Sequence, residues 1–364
     1  MFEEKTQVVE REREREREVV SVFLTSDSNY IHYVATTIAS ICYSSINSNT
    51  FIKFYILADN VSLFRKKQVE ELKNKFDNFD IVWADLSQKD KDFIYQAYMK
   101  DDKRDSYLKN ISNYSRFLLP TIFSEVKKAI YLDTDIIVYG NIAELYNHDL
   151  EGYIIGAVGD IGIFSGWEKS IMLKHYLKQE HLYFNAGVLL IDCDKWREQC
   201  IFNKIVECDK EIMKVKIHHS QCPLNKCFEM NYKILPLKYN QINHGGICGN
   251  KPLIDRAPST FLDYFSDEEV FIKHFTGIKP DKYCNDSNIS TFFIDDIYIK
   301  DFFFVAKMTP FYDEMLGMFN RATIHNRLDI KLFRIIPLLK IKRYGNRMKV
   351  YLFGFLPVLK INIK

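Results

Sequence analysis

The sequence lacks the features that mark several common classes of protein. Its eight cysteines include no Cys-x-x-Cys pair and no paired Cys/His spacing, which argues against a structural zinc site and is typical of a reducing compartment. No stretch approaches the roughly 20 apolar residues that span a bilayer, and the N-terminus shows no apolar run of the secretory kind. We therefore expect a cytoplasmic protein.

A strong net charge and the glycine pattern of a dinucleotide site are also missing. The formal net charge of +2 gives no reason to expect a nucleic-acid partner. The chain does have 47% hydrophobic and 15% aromatic residues, enough for one large domain with an appendage or for two domains. Its charge is uneven: residues 330–364 carry nine Lys or Arg and no Asp or Glu, so the total of +2 leaves −7 on the first 329 residues.

Alternating strands and helices predict an α/β fold with a mixed, mostly parallel sheet sandwiched between helices. Residues 10–18 alternate Glu and Arg without an apolar stripe, so residues 1–18 are predicted to form a charged, disordered extension. We expect one domain over residues 19–290 and a C-terminal helical region over 291–364. The predicted strands cover residues 19–24, 51–57, 79–83, 129–132, 153–158 and 183–191, and helices are predicted over 31–45 and 63–76.

The chain is organised around Asp133 and Asp135, which follow the apolar run Ala129–Leu132. Residues i and i+2 of a strand point to the same side, about 6–7 Å apart. Two ionised carboxylates in an apolar segment repel each other and lose hydration, which is unfavourable unless something compensates. A divalent cation such as Mn²⁺ or Mg²⁺ compensates directly. The alternative is a pair of aspartates that caps a turn.

Other polar residues follow predicted strands or precede them. Asp27, Asn29 and Tyr30 lie in a strand–helix loop, where open α/β sheets bind ligands, although the loop could simply cap the helix. Arg116 could neutralise a phosphate, hold an aspartate or lie on the surface. Small residues beside Asn185, among them Ala186, would let a bulky ligand approach the backbone.

Five short motifs, taken together and in order, resemble glycosyltransferase family 8, which includes bacterial lipopolysaccharide glucosyl- and galactosyltransferases and glycogenin. The motifs span about residues 19–282 and are Ser26–Tyr30, Tyr114–Arg116, Tyr131–Asp135, Phe184–Leu190 and His274–Gly277. The resemblance implies a GT-A fold, a UDP-sugar donor, a Mn²⁺ ion and retention of the anomeric configuration.

The resemblance also implies roles for individual residues. Asp133, Asp135 and His274 would ligate the metal. The uridine would be held by Asp27, Asn29 and Tyr30, the donor sugar would face Arg116, Asp133, Asn185 and Ala186, the diphosphate would contact Gly277 and Lys279, and Asp160 would lie on the acceptor side.

Two departures from the family pattern stand out. A loop that reads Asp-Gln-Asp in the resembled enzymes reads Ser220-Gln221-Cys222 here, so the glutamine remains without its two carboxylates. We therefore expect same-face attack by the acceptor hydroxyl, with Gln221 lending its carbonyl to the sugar. The spacing from His274 to Lys279 is one residue shorter than usual, which leaves the register of the diphosphate lysine open.

The C-terminal region contains an internal repeat. Leu332–Lys342 recurs as Leu352–Asn362 with six of eleven positions identical. Each copy interleaves bulky apolar residues with lysines around a proline. Such a segment can lie in a membrane interface, where each basic residue adds about 1 kcal/mol near anionic lipid. The alternatives are packing on the core and a dimer contact.

These observations predict a cytoplasmic enzyme, peripheral on the inner face of the membrane through residues 330–364. It would move glucose or galactose from a UDP-sugar to a lipid-anchored lipopolysaccharide core saccharide. A protein or a soluble glycan is the alternative acceptor. Two other classes stay open: a glycoside hydrolase with two opposed carboxylates about 5–9 Å apart and no metal, and a silent sugar-nucleotide binder.

Overall fold

The computed structural model describes most of the chain between residues 17 and 362. The described residues are 17–99, 111–164, 177–178, 181–212, 220–242, 264, 269–276, 279–282, 297–324, 328–332, 336–344, 347–352 and 356–362. In chain order, the strands before the C-terminal region are β1 (Glu18–Asp27), β2 (Thr50–Asp59), β3 (Phe79–Asp85), β4 (Lys128–Leu132), β5 (Ile136–Val138), β6 (Ile155–Gly159), β7 (Phe184–Asp192), β8 (Lys233–Ile234), β9 (Gln241–Ile242) and β10 (Ile272–His274).

Helices connect these strands and cover both faces of the sheet. They are α1 (Ile31–Ser44), α2 (Leu63–Glu70), α3 (Gln88–Ile94), α4 (Ile111–Ser115), α5 (Leu119–Ile122), α6 (Ala143–Tyr146), α7 (Cys193–Glu198), α8 (Ile201–Ile212), α9 (Gln221–Cys227), α10 (Ile297–Ala306) and α11 (Tyr312–Ile324). Short 3₁₀ turns extend several of them, and one of these, Arg116–Leu118, joins α4 to α5.

The central sheet is mixed and mostly parallel, as predicted. Within the described residues it has seven strands in the order β3-β2-β1-β4-β7-β6-β8. The strands β3, β2, β1 and β4 run parallel, and β7 is antiparallel to both β4 and β6. Because β1 and β4 are parallel neighbours, the segments that follow them begin at the same edge of the sheet.

Two apolar cores flank this sheet because successive residues of a strand face opposite sides. In β1, Val22 and Leu24 are buried in the core that contains α1, whereas Phe23 is buried in the opposite core with Leu57. Helix α1 is buried along nearly its whole length. This two-sided burial explains why the strands read as nearly continuous apolar runs.

The segment after β4 leaves the central sheet at the residue where this strand was predicted to end. β4 ends at Leu132, and β5 belongs to a second sheet with the strand order β5-β10-β9. Asp133 and Asp135 therefore lie in a bend between two sheets. Because of this bend, the two carboxylates turn toward residues of the second sheet. One flat, continuous strand would instead have fixed them along its edge.

The boundaries at the two ends of the chain differ from prediction. β1 already begins at Glu18, the last residue of the predicted extension. The peptide N–H of Glu18 donates to the carbonyl of Asn49 (3.0 Å). Residues 1–16 lie outside the described part. Near the other end, Phe302 and Met315 of α10 and α11 are buried in the same core as α1. These two helices thus extend the core past residue 290.

The expectation of a helical C-terminal region is correct for α10 and α11 but wrong further on. The described residues from 328 onward form a four-stranded antiparallel sheet of β11 (Leu328–Leu332), β12 (Ile336–Tyr344), β13 (Arg347–Leu352) and β14 (Leu356–Asn362). The two sequence repeats occupy equivalent positions in two antiparallel strand pairs, since Lys331 pairs with Pro337 as Tyr351 pairs with Pro357. A proline within each repeat disfavours helix, and β-branched and aromatic residues favour strand.

Candidate active site

Three side chains that were predicted to hold a metal ion meet at the bend after β4. Antiparallel pairing places His274, the last residue of β10, opposite Ile136 of β5. His274 Nε2 lies 3.3 Å from Asp135 Oδ1 and 3.7 Å from Asp133 Oδ2. One ligand atom from each residue lies within 4.8 Å of the others. Two carboxylates and an imidazole at these distances suit a divalent cation that keeps positions open for other ligands.

Asn240, a residue that the sequence analysis missed, orients the imidazole. Its Oδ1 accepts a hydrogen bond from His274 Nδ1 (2.9 Å), and the amide is fully buried. With Nδ1 turned to Asn240, Nε2 is the ring nitrogen that faces the two aspartates. A hydrogen bond of this kind fixes both the tautomer and the orientation of a metal-binding histidine.

Arg116 and Tyr131 hold Asp133 from the other side. The guanidinium lies 3.1 Å from Asp133 Oδ1, and the Tyr131 hydroxyl donates to the same oxygen at 2.6 Å. Arg116 also donates to the carbonyl of Ala186 (3.0 Å), and it stacks over the Tyr131 ring at 4.9 Å. Of the alternatives for Arg116, the structure therefore shows the one in which it holds an aspartate. With Asp133 Oδ1 so occupied, Oδ2 is the oxygen that faces His274.

Lys279 reaches Asp135, so the shortened spacing after His274 still brings its ammonium to this cluster. Its Nζ donates to Asp135 Oδ2 and to the carbonyl of Phe275 (3.2 Å). Burial alone would raise the pKa of Asp135, but Lys279 and His274 more than offset that effect and hold the pKa far below its usual range. Asp135 is thus ionised at neutral pH. Gly277, the other predicted diphosphate contact, lies outside the described residues.

A second group of polar side chains, mostly amides, adjoins the metal cluster at the start of β7. The side-chain amides of Asn185 and Gln221 both donate to Asp160 Oδ2, at 3.1 and 2.9 Å. The peptide N–H of Gly162 donates to the other oxygen at 2.8 Å. These three donors hold the buried carboxylate in place. Gln221, Asn185 and Asp160, which were predicted to face sugars, therefore form one connected network.

Gly187 makes room for the metal cluster behind β7. A Cβ atom at this position would lie 2.2 Å from His274 Cε1 and 2.9 Å from Asp133 Oδ2. The peptide of Gly187 also donates to Asn185 Oδ1 (2.9 Å) and accepts from the peptide N–H of Asp133 (2.8 Å). The Asn-Ala-Gly sequence thus joins the amide network to the metal cluster through its backbone.

Asn225, one turn after Gln221 on helix α9, holds the start of this helix against β7. Asn225 accepts from the peptide N–H of Phe184 (2.8 Å) and donates to the carbonyls of Phe184 (2.9 Å) and Gln221 (3.0 Å). The side-chain oxygen Oε1 of Gln221, by contrast, accepts from the peptide N–H of Ala186 (3.1 Å). At the position of a missing carboxylate, buried Cys222 lies 3.2 Å from the Tyr183 hydroxyl. The sequence carried no signal for Asn225, because its role depends on where α9 docks.

The predicted nucleotide loop lies at the same sheet edge. Asp27 Oδ1 accepts from the peptide N–H of Asn29 (2.8 Å), and the Asp27 carbonyl accepts from that of Tyr30 (3.2 Å). Asn29 is exposed, whereas Asp27 and Tyr30 are partly buried. The loop leads into α1 through these two contacts.

The profile of glycosyltransferase family 8 matches residues 21–283, a stretch that contains all the side chains described above. The chain belongs to glycosyltransferase family 8. Glycosyltransferase GlyF of Streptococcus pneumoniae serotype 4 is 30% identical over 258 residues, which cover 68% of this chain and 56% of GlyF. A putative glycosyltransferase of Haemophilus influenzae is 26% identical over 226 residues, covering 61% of this chain and 63% of that protein.

Among solved structures, the galactosyltransferase LgtC in complex with donor and acceptor sugar analogues has a TM-score of 0.65 at 20% identity. The match covers 82% of this family 8 chain and all of LgtC, which confirms the GT-A fold. By contrast, this chain spans only about half to two thirds of the length of the curated relatives named above. Within the described residues, the helices are all too short or too polar to cross a membrane.

Proposed function

We propose that this family 8 glycosyltransferase is a metal-dependent, retaining hexosyltransferase that uses a UDP-sugar. Glucose and galactose are the proposed sugars, and the core saccharide of lipopolysaccharide is the proposed acceptor. The observation that carries the proposal is the contact between two clusters of opposite character. The Asp133–Asp135–His274 cluster suits a cation with a diphosphate, and the adjoining amide network suits a sugar.

The charged cluster supports the loss of a diphosphate leaving group. When bound, Mn²⁺ or Mg²⁺ would supply positive charge to the phosphate oxygens as the bond to the sugar breaks. Asp133, Asp135 and His274 would hold the ion. Lys279 lies beside Asp135 and can turn its ammonium toward a diphosphate, and Arg116 keeps Asp133 oriented. This is electrostatic stabilisation by groups that are already in place.

The amide network supports the sugar side of the reaction. As the leaving group departs, the sugar becomes positively charged, and a nearby carbonyl or carboxylate stabilises that charge. Gln221 Oε1 accepts a hydrogen bond from Ala186, and a carbonyl oxygen can accept two. We propose that its second lone pair faces the sugar while the acceptor hydroxyl attacks from the side of the departing diphosphate. Asp160 is the carboxylate that holds Gln221.

The acceptor is proposed from the C-terminal region and from the family. Residues 330–364 carry nine basic residues and no acidic ones, which favours an anionic membrane surface. A lipid-anchored saccharide on the inner face of the cytoplasmic membrane would then be the accessible acceptor. A protein or a soluble glycan remains the alternative, and vesicle co-sedimentation of the full chain separates the two locations.

The deciding experiment is UDP release from a panel of UDP-hexoses, with Mn²⁺ or with EDTA, first without acceptor and then with core oligosaccharide. We expect Mn²⁺-dependent release from one sugar and faster release when acceptor is added. Mn²⁺-dependent UDP binding without any release would support a silent binder instead. Sugar release that EDTA leaves intact would favour a hydrolase, and no UDP binding at all would contradict the proposal.

A further inference from the structure

A buried hydrogen bond joins the first turn of α1 to the segment that carries Lys279. The Tyr33 hydroxyl donates to Asp281 Oδ1. Tyr33 is 2% exposed and Asp281 4% exposed. Burial and the Asp281 carboxylate raise the pKa of Tyr33 far above its usual range, so the hydroxyl keeps its proton and acts as the donor. Neither residue belongs to the metal cluster or the amide network.

Asp281 follows Lys279 by two residues, with only Pro280 between them. This stretch is held at both ends, because Lys279 contacts Asp135 while Asp281 contacts Tyr33. Pro280 begins a 3₁₀ turn and has a fixed φ angle, so the backbone positions of Lys279 and Asp281 are set together. The position of the lysine ammonium is therefore coupled to the hydrogen bond at Tyr33.

Tyr33 also contacts a residue of the nucleotide loop. Tyr30 lies three residues earlier, on the same face of the helix, and the two ring centroids are 5.6 Å apart. On its far side, Tyr33 packs against Phe302 at 5.8 Å. One turn of helix thus contacts both the loop proposed to bind the uridine and the segment proposed to bind the diphosphate.

We propose that Tyr33 is a positioning residue for the donor. Its hydrogen bond to Asp281 fixes the segment 279–281 so that the Lys279 ammonium stands where the diphosphate binds. The inference rests on the proposed use of a UDP-sugar. It predicts that the hydroxyl of Tyr33 contributes to affinity for the second phosphate of UDP and not to affinity for the nucleoside.

The test is calorimetric binding of UDP, UMP and uridine, each with Mn²⁺, to Tyr33→Phe and to Tyr43→Phe. The second variant is a matched control, because Tyr43 lies on the same helix but is 47% exposed. We expect Tyr33→Phe to bind UDP about tenfold more weakly, the effect of one hydrogen bond to a charged group, with UMP and uridine unchanged. In donor turnover, KM should rise by the same factor while kcat changes less than about twofold.

Variants of Asp281 separate positioning from a general loss of structure. Asp281→Asn keeps an acceptor oxygen for Tyr33 and should retain UDP affinity. Asp281→Leu should lose as much UDP affinity as Tyr33→Phe does. The double variant Tyr33→Phe/Asp281→Leu should bind UDP no more weakly than either single variant. Equal UDP affinity for Tyr33→Phe and the parent protein would overturn the inference, and so would an equal loss for UDP and uridine. If the parent protein itself binds no UDP, it is the proposed function that fails.

Discussion

The two halves of the site compensate their polar groups differently. In the half that faces the metal, the aspartates are charged and are compensated by opposite charges. In the half around Asn185, the polar groups are neutral amides apart from Asp160. Asp133 and Asp135 are matched by Arg116 and Lys279. Asn185 and Gln221 are instead matched by hydrogen-bond geometry. Removing one member should therefore unbalance charge in the first half and leave an unsatisfied donor or acceptor in the second.

The largest effect is expected from Asp135→Asn. The change removes a ligand charge and leaves Lys279 beside a neutral amide, so we expect Mn²⁺-dependent UDP binding to fall by about 100-fold or more. Calorimetry with and without EDTA measures this. Asp160→Asn is the control from the other half, and it should lose sugar transfer while it keeps Mn²⁺-dependent UDP binding. Equal UDP affinity in Asp135→Asn and the parent would refute the metal role.

Gly187→Ala tests the contact between the halves. The added methyl would overlap the His274 ring at 2.2 Å and crowd Asp133 Oδ2 at 2.9 Å. We expect affinity for Mn²⁺ to fall by about 10–100-fold, as for other changes that disturb ligand orientation. Gly156→Ala on β6 is the control, since the atoms nearest to its methyl, in the side chains of Leu150 and Leu235, would lie at 3.2 Å. Titration of Mn²⁺ by electron paramagnetic resonance distinguishes them.

Asn225→Leu should change the amide half alone. The variant removes the side-chain amide that bonds the peptide groups of Phe184 and the backbone carbonyl of Gln221. We expect this loss to lower the free energy of unfolding by about 1–3 kcal/mol. Because Gln221 loses its support, kcat should fall while Mn²⁺ affinity stays the same. Urea unfolding and a Mn²⁺ titration measure the two quantities, and a matched loss of Mn²⁺ affinity would show that the halves are not separable.

The smallest expected effect concerns pH. His181 Nδ1 accepts from the peptide N–H of Met230 (3.2 Å), and Nε2 lies 3.0 Å from Asn225 Oδ1, so the neutral ring fits its partners. Burial lowers the pKa of His181 below its ordinary value of about 6.5. A lowered pKa means that the unfolded chain binds the proton first, so stability is lost as pH falls below about 6.5.

Thermal unfolding of the parent protein and of His181→Gln at pH 7.5 and 5.5 tests this sign. The parent should lose more stability on acidification than the variant does. The difference between the two isolates His181 from His148, whose pKa burial also lowers. An identical pH dependence in the two proteins would contradict the assignment.

The sequence was most informative where local pattern and chemistry coincide. Apolar runs predicted the sheet strands. Asp133, Asp135 and His274 were expected to lie together because two family motifs contain them. Asn240 and Asn225 were invisible, since an isolated asparagine carries no pattern and its partners are brought near by the docking of β9 and α9. The C-terminal strands were missed for a different reason: a short apolar repeat with basic residues is compatible with an interfacial helix until a partner strand fixes its register.

The peptide proton of Gly187 sets a direction for the hydrogen bonds around it. A backbone N–H can only donate, so the end of Asn185 that receives it must be oxygen, and Asn240 must turn its NH₂ to that same oxygen (2.9 Å). The oxygen of Asn240 then faces His274, and the bonds run one way from the imidazole through two amides to the carboxylate of Asp160. Reversing either amide would set oxygen against oxygen or N–H against N–H. The side chains from His274 to Asp160 therefore share a single ordered state, chosen by the main chain before a cation or a sugar arrives.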